Sequence, residues 1–283
     1  MDSSILENKK KRLVVIVACH NRVNNTRIWL EGLDRECPNN WEIKVIAVDD
    51  GSSDGTYEML SASHLVSNVI HGEGSWFWAK SMSIGLDFAV RNYKFDYVIW
   101  ANDDTSYYPG SLAYVRDNVL LHPNQVFVGQ FVDPTTKQLT YGGQNKKGRH
   151  PFKYELVQTK DEGESCDVFN GNFVLFPAST IHNTGPIESR YEHAYADFDY
   201  SIRLTKAGYE IQILHKPLGE CQGHPDYISR SFSFFERVSF AFGRKGFPYR
   251  SQILFLKKFG GTFWIAYFLQ PYIRALFGIT ARK

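Results

Sequence analysis

The feature that most constrains this chain is an apolar run over residues 97–101 that ends abruptly in Asn102, Asp103 and Asp104. An apolar run of this length, bounded by polar turn residues, predicts a buried strand. Strands buried on both faces are typical of parallel α/β sheets, in which ligands bind just outside the carboxyl ends of the strands. Asp103 and Asp104 are therefore expected to project into a ligand crevice.

Two adjacent carboxylates repel each other unless a cation lies near them. Mg²⁺ and Mn²⁺ suit such a place, because hard divalent cations take oxygen ligands and often bridge a protein carboxylate to substrate phosphates. The alternative is a solvated turn at the end of the strand, since Asn and Asp are common turn residues. The stretch alone leaves both interpretations open, and the rest of the chain favours the metal.

The first hundred residues alternate between strand and helix patterns. The predicted strands lie at 13–18, 41–48, 65–71 and 96–101, with helices at 27–33, 57–61 and 76–93. This alternation predicts a doubly wound, mostly parallel sheet flanked by helices. A Rossmann dehydrogenase is disfavoured, because no Gly-x-Gly-x-x-Gly follows the first strand.

The alternation changes after residue 105. Residues 126–132 and 138–141 predict a hairpin, and the polar residues 144–164 predict a long, mobile loop of the kind that closes over a substrate. Residues 194–207 predict a helix that contains Asp197, Asp199 and Arg203 and is closed by Gly208. The other predicted elements are a helix at 111–121, a strand within 167–177 and a last strand at 209–215.

Length and composition narrow the function classes. The chain has 283 residues, enough for one large domain with an appendage, and its net charge of +2 gives no reason to expect nucleic acid. The four cysteines form no Cys-x-x-Cys pair, which argues against a zinc site and favours a reducing cytosol. We expect no signal peptide, and no run reaches the roughly 18 to 20 apolar residues that span a bilayer.

Aromatic and basic residues crowd the last fifty or so positions. We therefore predict a catalytic domain over residues 1–230 and a helical tail over residues 231–283. Basic residues beside aromatic and aliphatic ones are typical of a helix at a membrane interface. Such a tail predicts a cytoplasmic protein held peripherally at the inner face of the cell membrane. The alternative is that the aromatic residues only pack the tail onto the catalytic domain.

Six motifs occur in an order that resembles the family-2 glycosyltransferases of the GT-A (Rossmann-like) fold. Those of the first half are Val-Ile-Val-Ala-Cys-His-Asn-Arg (15–22), Val-Asp-Asp-Gly-Ser-Ser-Asp-Gly-Thr (48–56) and Trp-Ala-Asn-Asp-Asp-Thr (100–105). Those of the second half lie at 141–143, 170–177 and 193–203. The resemblance covers about residues 12 to 225. It points to the bacterial branch that includes the rhamnosyltransferases of surface-polysaccharide (O-antigen or capsule) synthesis.

The resemblance implies transfer of a sugar from a nucleotide diphosphate sugar to a hydroxyl of a glycan or lipid-linked acceptor, with inversion. Mg²⁺ or Mn²⁺ at Asp104 would neutralise the diphosphate and help it leave. Asn102 replaces the first acid of the family's Asp-x-Asp pattern, so it is expected to bind the ribose or a metal-bound water. His224 is the candidate for a further metal ligand, with a structural role as the alternative.

The resemblance also implies a donor-binding set at the strand ends. Its members are Ala18, His20, Arg22, Asp49, Asp50, Trp78, Asn102 and Asp103. Asp49 and Asp50 would accept hydrogen bonds from the base or the ribose hydroxyls, or else stabilise their turn. Trp78 could stack on a sugar or base, and core packing is equally open for it.

Inverting transfer needs one general base on the acceptor side. The family places it second in a Glu-Asp pair at the start of a helix, and here that position is Asp197, with Ala196 replacing the Glu. Asp199 is the alternative base, or else a cap or salt-bridge partner. A carboxylate at a helix N-terminus tends to have a lowered pKa, which predicts that Asp197 stays ionised. Arg203 is expected to serve structure.

Two other functions remain open at this point. One is an inactive fold that still binds nucleotide sugars, motivated by Asn102 and Ala196. The other is a sugar-phosphate nucleotidyltransferase, which also handles nucleotides, phosphates and a metal. Such enzymes carry a Gly-rich loop with Arg and Lys after the first strand, and the sequence that follows residue 18 lacks it.

Overall fold

The computed structural model describes residues 10–192, 194–223, 235–236 and 248–277, with side chains to residue 274. The first half contains β1 (Lys11–Cys19), α1 (Val23–Glu36), β2 (Trp41–Asp49), α2 (Thr56–Ser61), β3 (Val66–His71), α3 (Phe77–Asn92), β4 (Tyr97–Asn102), β5 (Ser106–Tyr107) and α4 (Ser111–Leu121). The middle contains β6 (Val126–Val128), β7 (Phe131–Val132), β8 (Leu139–Tyr141), β9 (Gly143–Lys146), β10 (Tyr154–Leu156), β11 (Val168–Phe169) and β12 (Phe173–Pro177). Last come α5 (Ala178–Thr184), α6 (Ala196–Lys206), β13 (Ile211–Ile213), β14 (Gly219–Glu220), α7 (Tyr249–Phe259) and α8 (Trp264–Phe277).

A seven-stranded sheet forms the centre, in the order β13-β6-β12-β4-β1-β2-β3. The strands β4, β1, β2 and β3 are parallel, and β12 runs antiparallel between β4 and β6. Helices cover both faces. The predicted α/β architecture with a large, mostly parallel sheet and C-terminal helices is confirmed.

The two faces of β1 show why the sequence forms this sheet. Val15 and Val17 point into one buried cluster with Trp29 of α1, while Ile16 points into a second cluster with helix α3. A strand that is buried on both faces has no polar alternation, as the β-branched run predicts. Gly85 lets α3 approach closely, since a Cβ there would lie 2.7 Å from Ile16 Cγ2.

The strand register aligns the residues that follow the strands. In the pairing of β1 with β2, Cys19 lies opposite Asp49, and in the pairing with β4, Ala18 lies opposite Asn102. The carboxyl ends of the three strands therefore share one edge of the sheet. Polar residues far apart in the chain meet at this edge, where ligands bind in such sheets.

Two predictions about the middle of the chain need correction. The predicted long loop is wrong in its secondary structure, because β9 and β10 pair within it and β11 joins β9 in a three-stranded sheet. Its short strands carry polar residues on their exposed sides, which hid the pattern. The predicted hairpin exists as β7 and β8, but residues 126–128 form a separate strand, β6, of the central sheet.

The tail contributes to the core. Phe255 and Leu256 of α7 are fully buried, and Phe255 stacks on Phe152 and contacts Tyr195 beside α6. The α7 part of the tail therefore packs onto the part of the protein that precedes it. The predicted boundary at residue 230 falls outside the described residues. Among the helices that the structure describes, none combines the length and apolar character needed to cross a bilayer.

Candidate active site

The carboxylates after β4 are bridged by an arginine. Arg22 Nη1 lies 2.8 Å from Asp104 Oδ2 and 3.5 Å from Asp103 Oδ1. Thr26, one helical turn after Arg22 at the start of α1, donates to Asp103 Oδ2 at 2.7 Å. Burial raises the pKa of Asp103, and the hydrogen bond from Thr26 and the charge of Arg22 oppose that rise. The cation expected beside these two acids is therefore the guanidinium group of Arg22.

Asp104 is the more accessible of the two acids, with 31% of its side chain exposed. The thiol of buried Cys221, just after β14, donates to its other oxygen at 3.7 Å. Burial, followed by the charge of Asp104, raises the pKa of this thiol to about 12, so the thiol stays protonated. No sequence pattern pointed to Cys221, because the pairing of β5 with β14 brings it to Asp104 from 117 residues away.

The donor atoms fit a divalent cation held by one protein carboxylate. Among the described residues, no group of three or more His, Cys, Asp or Glu side chains could hold a metal alone. Mg²⁺ typically takes one or two carboxylates and completes its shell with substrate phosphates and waters. Asp104 meets that requirement, and a cation on its Oδ2 would compete with Arg22. The predicted ligand His224 lies outside the described residues.

Asp49, at the end of β2, keeps a free acceptor in a buried position. Its side chain is fully buried, and the Ser52 hydroxyl donates to Oδ1. No described residue donates a hydrogen bond to Oδ2, and the His71 Nδ1 atom lies 3.5 Å from it. A buried carboxylate oxygen without a donor is costly unless a ligand supplies one. This arrangement suits an acceptor for a base N–H or a ribose hydroxyl.

Asp50 has a different environment from its neighbour. Its Oδ1 accepts from Gly74 N at 2.8 Å, and its Oδ2 accepts from the backbone N–H groups of Trp76 at 2.7 Å and Phe77 at 3.0 Å. Gly72 is required there, since a Cβ would lie 2.7 Å from Asp50 Oδ1. The Asp50 carboxylate thus stabilises the loop before α3, which agrees with the alternative that this acid stabilises its turn. Its role in donor binding stays a prediction. His20 Nδ1 lies 2.6 Å from the Asp50 carbonyl oxygen.

Trp78 lies between Asn102, at the end of β4, and Gly171. Its Nε1 donates to Asn102 Oδ1 at 2.8 Å, and its ring contacts Trp100 edge to face. Gly171 packs directly on the same ring, because a Cβ at Gly171 would lie 2.5 Å from Trp78 Cζ2. The half-buried ring therefore combines core packing with a hydrogen bond to the candidate donor site.

Asp197 lies at the start of α6, and the backbone N–H of Phe198 donates to its Oδ1 at 2.9 Å. Burial of the carboxylate raises its pKa to about 6, although the backbone N–H groups of Phe198 and Gly171 oppose the rise. The predicted lowering of this pKa is therefore wrong, because desolvation outweighs the helix N-terminus. A carboxylate with this pKa is still ionised at neutral pH and is a stronger base than an ordinary Asp.

Asp199 is held in an ion-pair network. It is fully buried, its Oδ1 accepts from Arg203 Nε at 2.8 Å, and its Oδ2 accepts from Lys258 Nζ at 2.6 Å and Tyr191 Oη at 2.9 Å. Arg203 also donates to the carbonyls of Thr184 and Pro186, which confirms its structural role. Asp199 is thus a salt-bridge partner, one of the alternatives left open for it. Sequence analysis missed Lys258, which comes from α7 in the tail.

The structure collects most of the predicted site residues into one contact network. Ala18, Asp49 and Asn102 share the sheet edge, Arg22 ties Asp103 to Asp104, and Trp78 leads through Gly171 to Asp197. Asp199 faces away from this network toward α7.

The sequence around the strand ends matches a known protein family. A model described as "Glycosyl transferase family 2" matches residues 14–179, which is more than half of the chain. The chain belongs to glycosyl transferase family 2. The match contains the strand ends and the Asp103–Asp104 pair, while Asp197 and the tail lie beyond it. No curated protein shows significant sequence similarity to this glycosyltransferase.

Solved structures share its fold at low identity. S. aureus TarS 1-349 in complex with UDP-GlcNAc is 15% identical with a TM-score of 0.57, over 94% of this chain and 81% of that one. GalNAc-T7 with UDP, GalNAc and Mn²⁺ is 12% identical with a TM-score of 0.58, over 76% of this chain and 46% of that one. The Pyrobaculum calidifontis mannosyltransferase PcManGT, in complex with GDP-Man and Mn²⁺, is 16% identical with a TM-score of 0.50, over 96% and 77%. The glycosyltransferase thus spans less than half the length of GalNAc-T7. These similarities confirm the predicted GT-A fold.

Proposed function

We propose that this glycosyltransferase moves a sugar from a nucleotide diphosphate sugar to a hydroxyl of a glycan or lipid-linked acceptor, with inversion and with Asp197 as the general base. One observation carries the proposal. A continuous set of contacts runs from Asn102, two residues before Asp104, through Trp78 and Gly171 to a desolvated carboxylate at Asp197. The remaining acid candidate, Asp199, is neutralised by Lys258 and Arg203.

On the donor side, Asp49 Oδ2 offers a buried acceptor to the nucleoside, and Arg22 offers a guanidinium to the diphosphate. A divalent cation held by Asp104 would neutralise the leaving diphosphate. The carboxamide of Asn102 is oriented by Trp78 and keeps its amino group for the ribose or a water. These groups act on charge and orientation and leave proton transfer to another residue.

On the acceptor side, Asp197 would take the proton of the attacking hydroxyl. Its N–H partners fix the orientation of the carboxylate, and burial keeps its basicity high. Inversion fits a site in which Asp199 is neutralised and Asp197 is the candidate base, since single displacement needs one base and no protein nucleophile. Rhamnose from a thymidine diphosphate donor is our proposal for the sugar, based on the motif resemblance. The four cysteines are free, which suits the reducing cytoplasmic face where we place the protein.

Calorimetry with a panel of nucleotide diphosphate sugars is expected to show that one donor binds and that Mn²⁺ or Mg²⁺ strengthens its binding. The reason is that Asp104 supplies a carboxylate and the donor supplies the phosphate oxygens. Asp104→Asn should lose the metal-dependent part of the binding. Thr205→Val on the exposed side of α6 is the control and should bind like the unchanged protein. Binding of no donor under any condition would contradict the proposal and favour the inactive fold.

The pH dependence of kcat/KM is expected to show an acidic limb with an apparent pKa of about 6. The base must be ionised to accept a proton, so activity falls as the pH drops through that value and is full above it. A limb near 4, the ordinary Asp range, would contradict a desolvated base. Donor binding measured over the same pH range separates this limb from loss of the donor.

A further inference from the structure

The outer side of α8 carries an apolar stripe. Ile265, Leu269 and Ile273 recur every fourth residue and are 55%, 45% and 47% exposed. Residues at this spacing lie on one face of a helix. Phe263, in the turn before α8, is also a large apolar side chain and is 70% exposed. Such a row of large apolar side chains is more than scattered surface hydrophobics and indicates an interaction face.

Other positions of α8 contact the rest of the protein. Tyr272 is buried and donates to Gln252 of α7 at 3.4 Å, and Tyr267 contacts His150 edge to face. His150 also lies within hydrogen-bond distance of Gln270. The helix is therefore fixed in orientation, with its apolar stripe turned outward.

The charge of the tail specifies the partner. Residues 237–283 contain nine Lys and Arg and no Asp or Glu, so residues 1–236 carry the other 23 basic residues and all 30 acidic ones. Residues 237–283 are thus +9 and residues 1–236 are −7. Lys257 and Arg274 are exposed, and neither forms an ion pair with an acidic side chain among the described residues. Arg250 and Lys258 are instead paired with Glu192, Glu188 and Asp199.

We propose that the α8 face, defined as the stripe Ile265, Leu269 and Ile273, docks on an anionic lipid surface with the help of the exposed residues Phe263, Lys257 and Arg274 in the same part of the chain. Apolar side chains enter the acyl boundary while basic residues meet the lipid headgroups. A second copy of this chain is the weaker partner, because it would bring one strongly basic tail against another.

The junction with α7 gives this docking a consequence for the site. Phe255 stacks in the core beside Tyr195, and Lys258 binds Asp199 in α6, two residues beyond Asp197. A lipid surface under α8 therefore holds α6 and its candidate base in a fixed orientation to the membrane. This geometry suits an acceptor that is anchored in the lipid.

The test is co-sedimentation of the full chain with vesicles, which needs no glycosyl transfer and so is independent of the proposed function. We expect binding to vesicles that contain phosphatidylglycerol and little binding to pure phosphatidylcholine. Combined Ile265→Ser, Leu269→Ser and Ile273→Ser should weaken vesicle binding about a hundredfold. Combined Lys257→Gln and Arg274→Gln should weaken it about thirtyfold and reduce its salt dependence.

Leu121→Ser is the matched control, because this leucine is 73% exposed at the end of α4 and should leave vesicle binding unchanged. All variants should keep the far-UV spectrum and melting temperature of the parent protein, since the replaced side chains are exposed. Absence of vesicle binding, or binding that the serine variant retains, overturns the proposal. Self-association that the serine variant abolishes, without vesicle binding, assigns the face to a second copy and also overturns it.

Discussion

Asp197→Asn is expected to abolish glycosyl transfer while nucleotide-sugar binding remains. Asn keeps an oxygen that accepts the N–H of Phe198, so the start of α6 should keep its structure. The amide cannot take the proton of the acceptor hydroxyl. Loss of a general base typically lowers the rate about 10²- to 10⁴-fold. Product formation measured with the donor identified by calorimetry checks the rate, and calorimetry on the variant checks the binding.

The effects of Asp197→Asn on kcat and on donor affinity are to be compared. A variant that binds the donor normally but turns over slowly supports Asp197 as the base. Normal turnover would remove Asp197 from that role. Equal loss of binding and turnover would show instead that Asp197 serves the donor side. Since the Asp197 carboxylate is desolvated, we also expect Asp197→Asn to fold at least as stably as the parent.

Asp199→Ala is expected to cause the largest loss of stability among single substitutions near the site. Asp199 is fully buried, and its removal leaves Arg203 and Lys258 without their shared anion. Removing one partner of a buried ion pair costs about 3–5 kcal/mol. We expect the lower end, because about 30% of each cationic side chain reaches solvent and is screened. Urea unfolding of the variant and the parent measures the difference.

Lys258→Met is the control for this network. Asp199 would keep Arg203 and Tyr191 as partners, so the free energy of unfolding should fall by less than in Asp199→Ala. The two acids then separate cleanly, since Asp197→Asn should lose activity and keep stability. A stable and inactive Asp199→Ala would reverse the assignments of the two acids.

Much of the fold could be predicted because a buried strand has a recognisable run of apolar residues in the local sequence. The unbroken apolar runs around Val15 and Ile99 identified strands that are covered on both faces, and the acids after the second run lie at the sheet edge where we propose that the donor binds. Short strands have too few residues to show such a pattern clearly. The strands β9 and β10 have only four and three residues, and β9 contains no apolar side chain, so their sequence matched a loop equally well.

The same distinction between local and long-range interactions applies to the candidate site. The sequence by itself determined the strand ends and the candidate acids, because each motif lies within a few residues and its pattern reports its own burial. Only the tertiary structure decided how those acids differ. Asp199 is neutralised by Lys258 from 59 residues away, and Asp104 receives the thiol of Cys221 from 117 residues away. Asp197 has its raised pKa because packing removes water from the carboxylate. Ion pairing and desolvation depend on which distant segments pack together, and no local pattern encodes that.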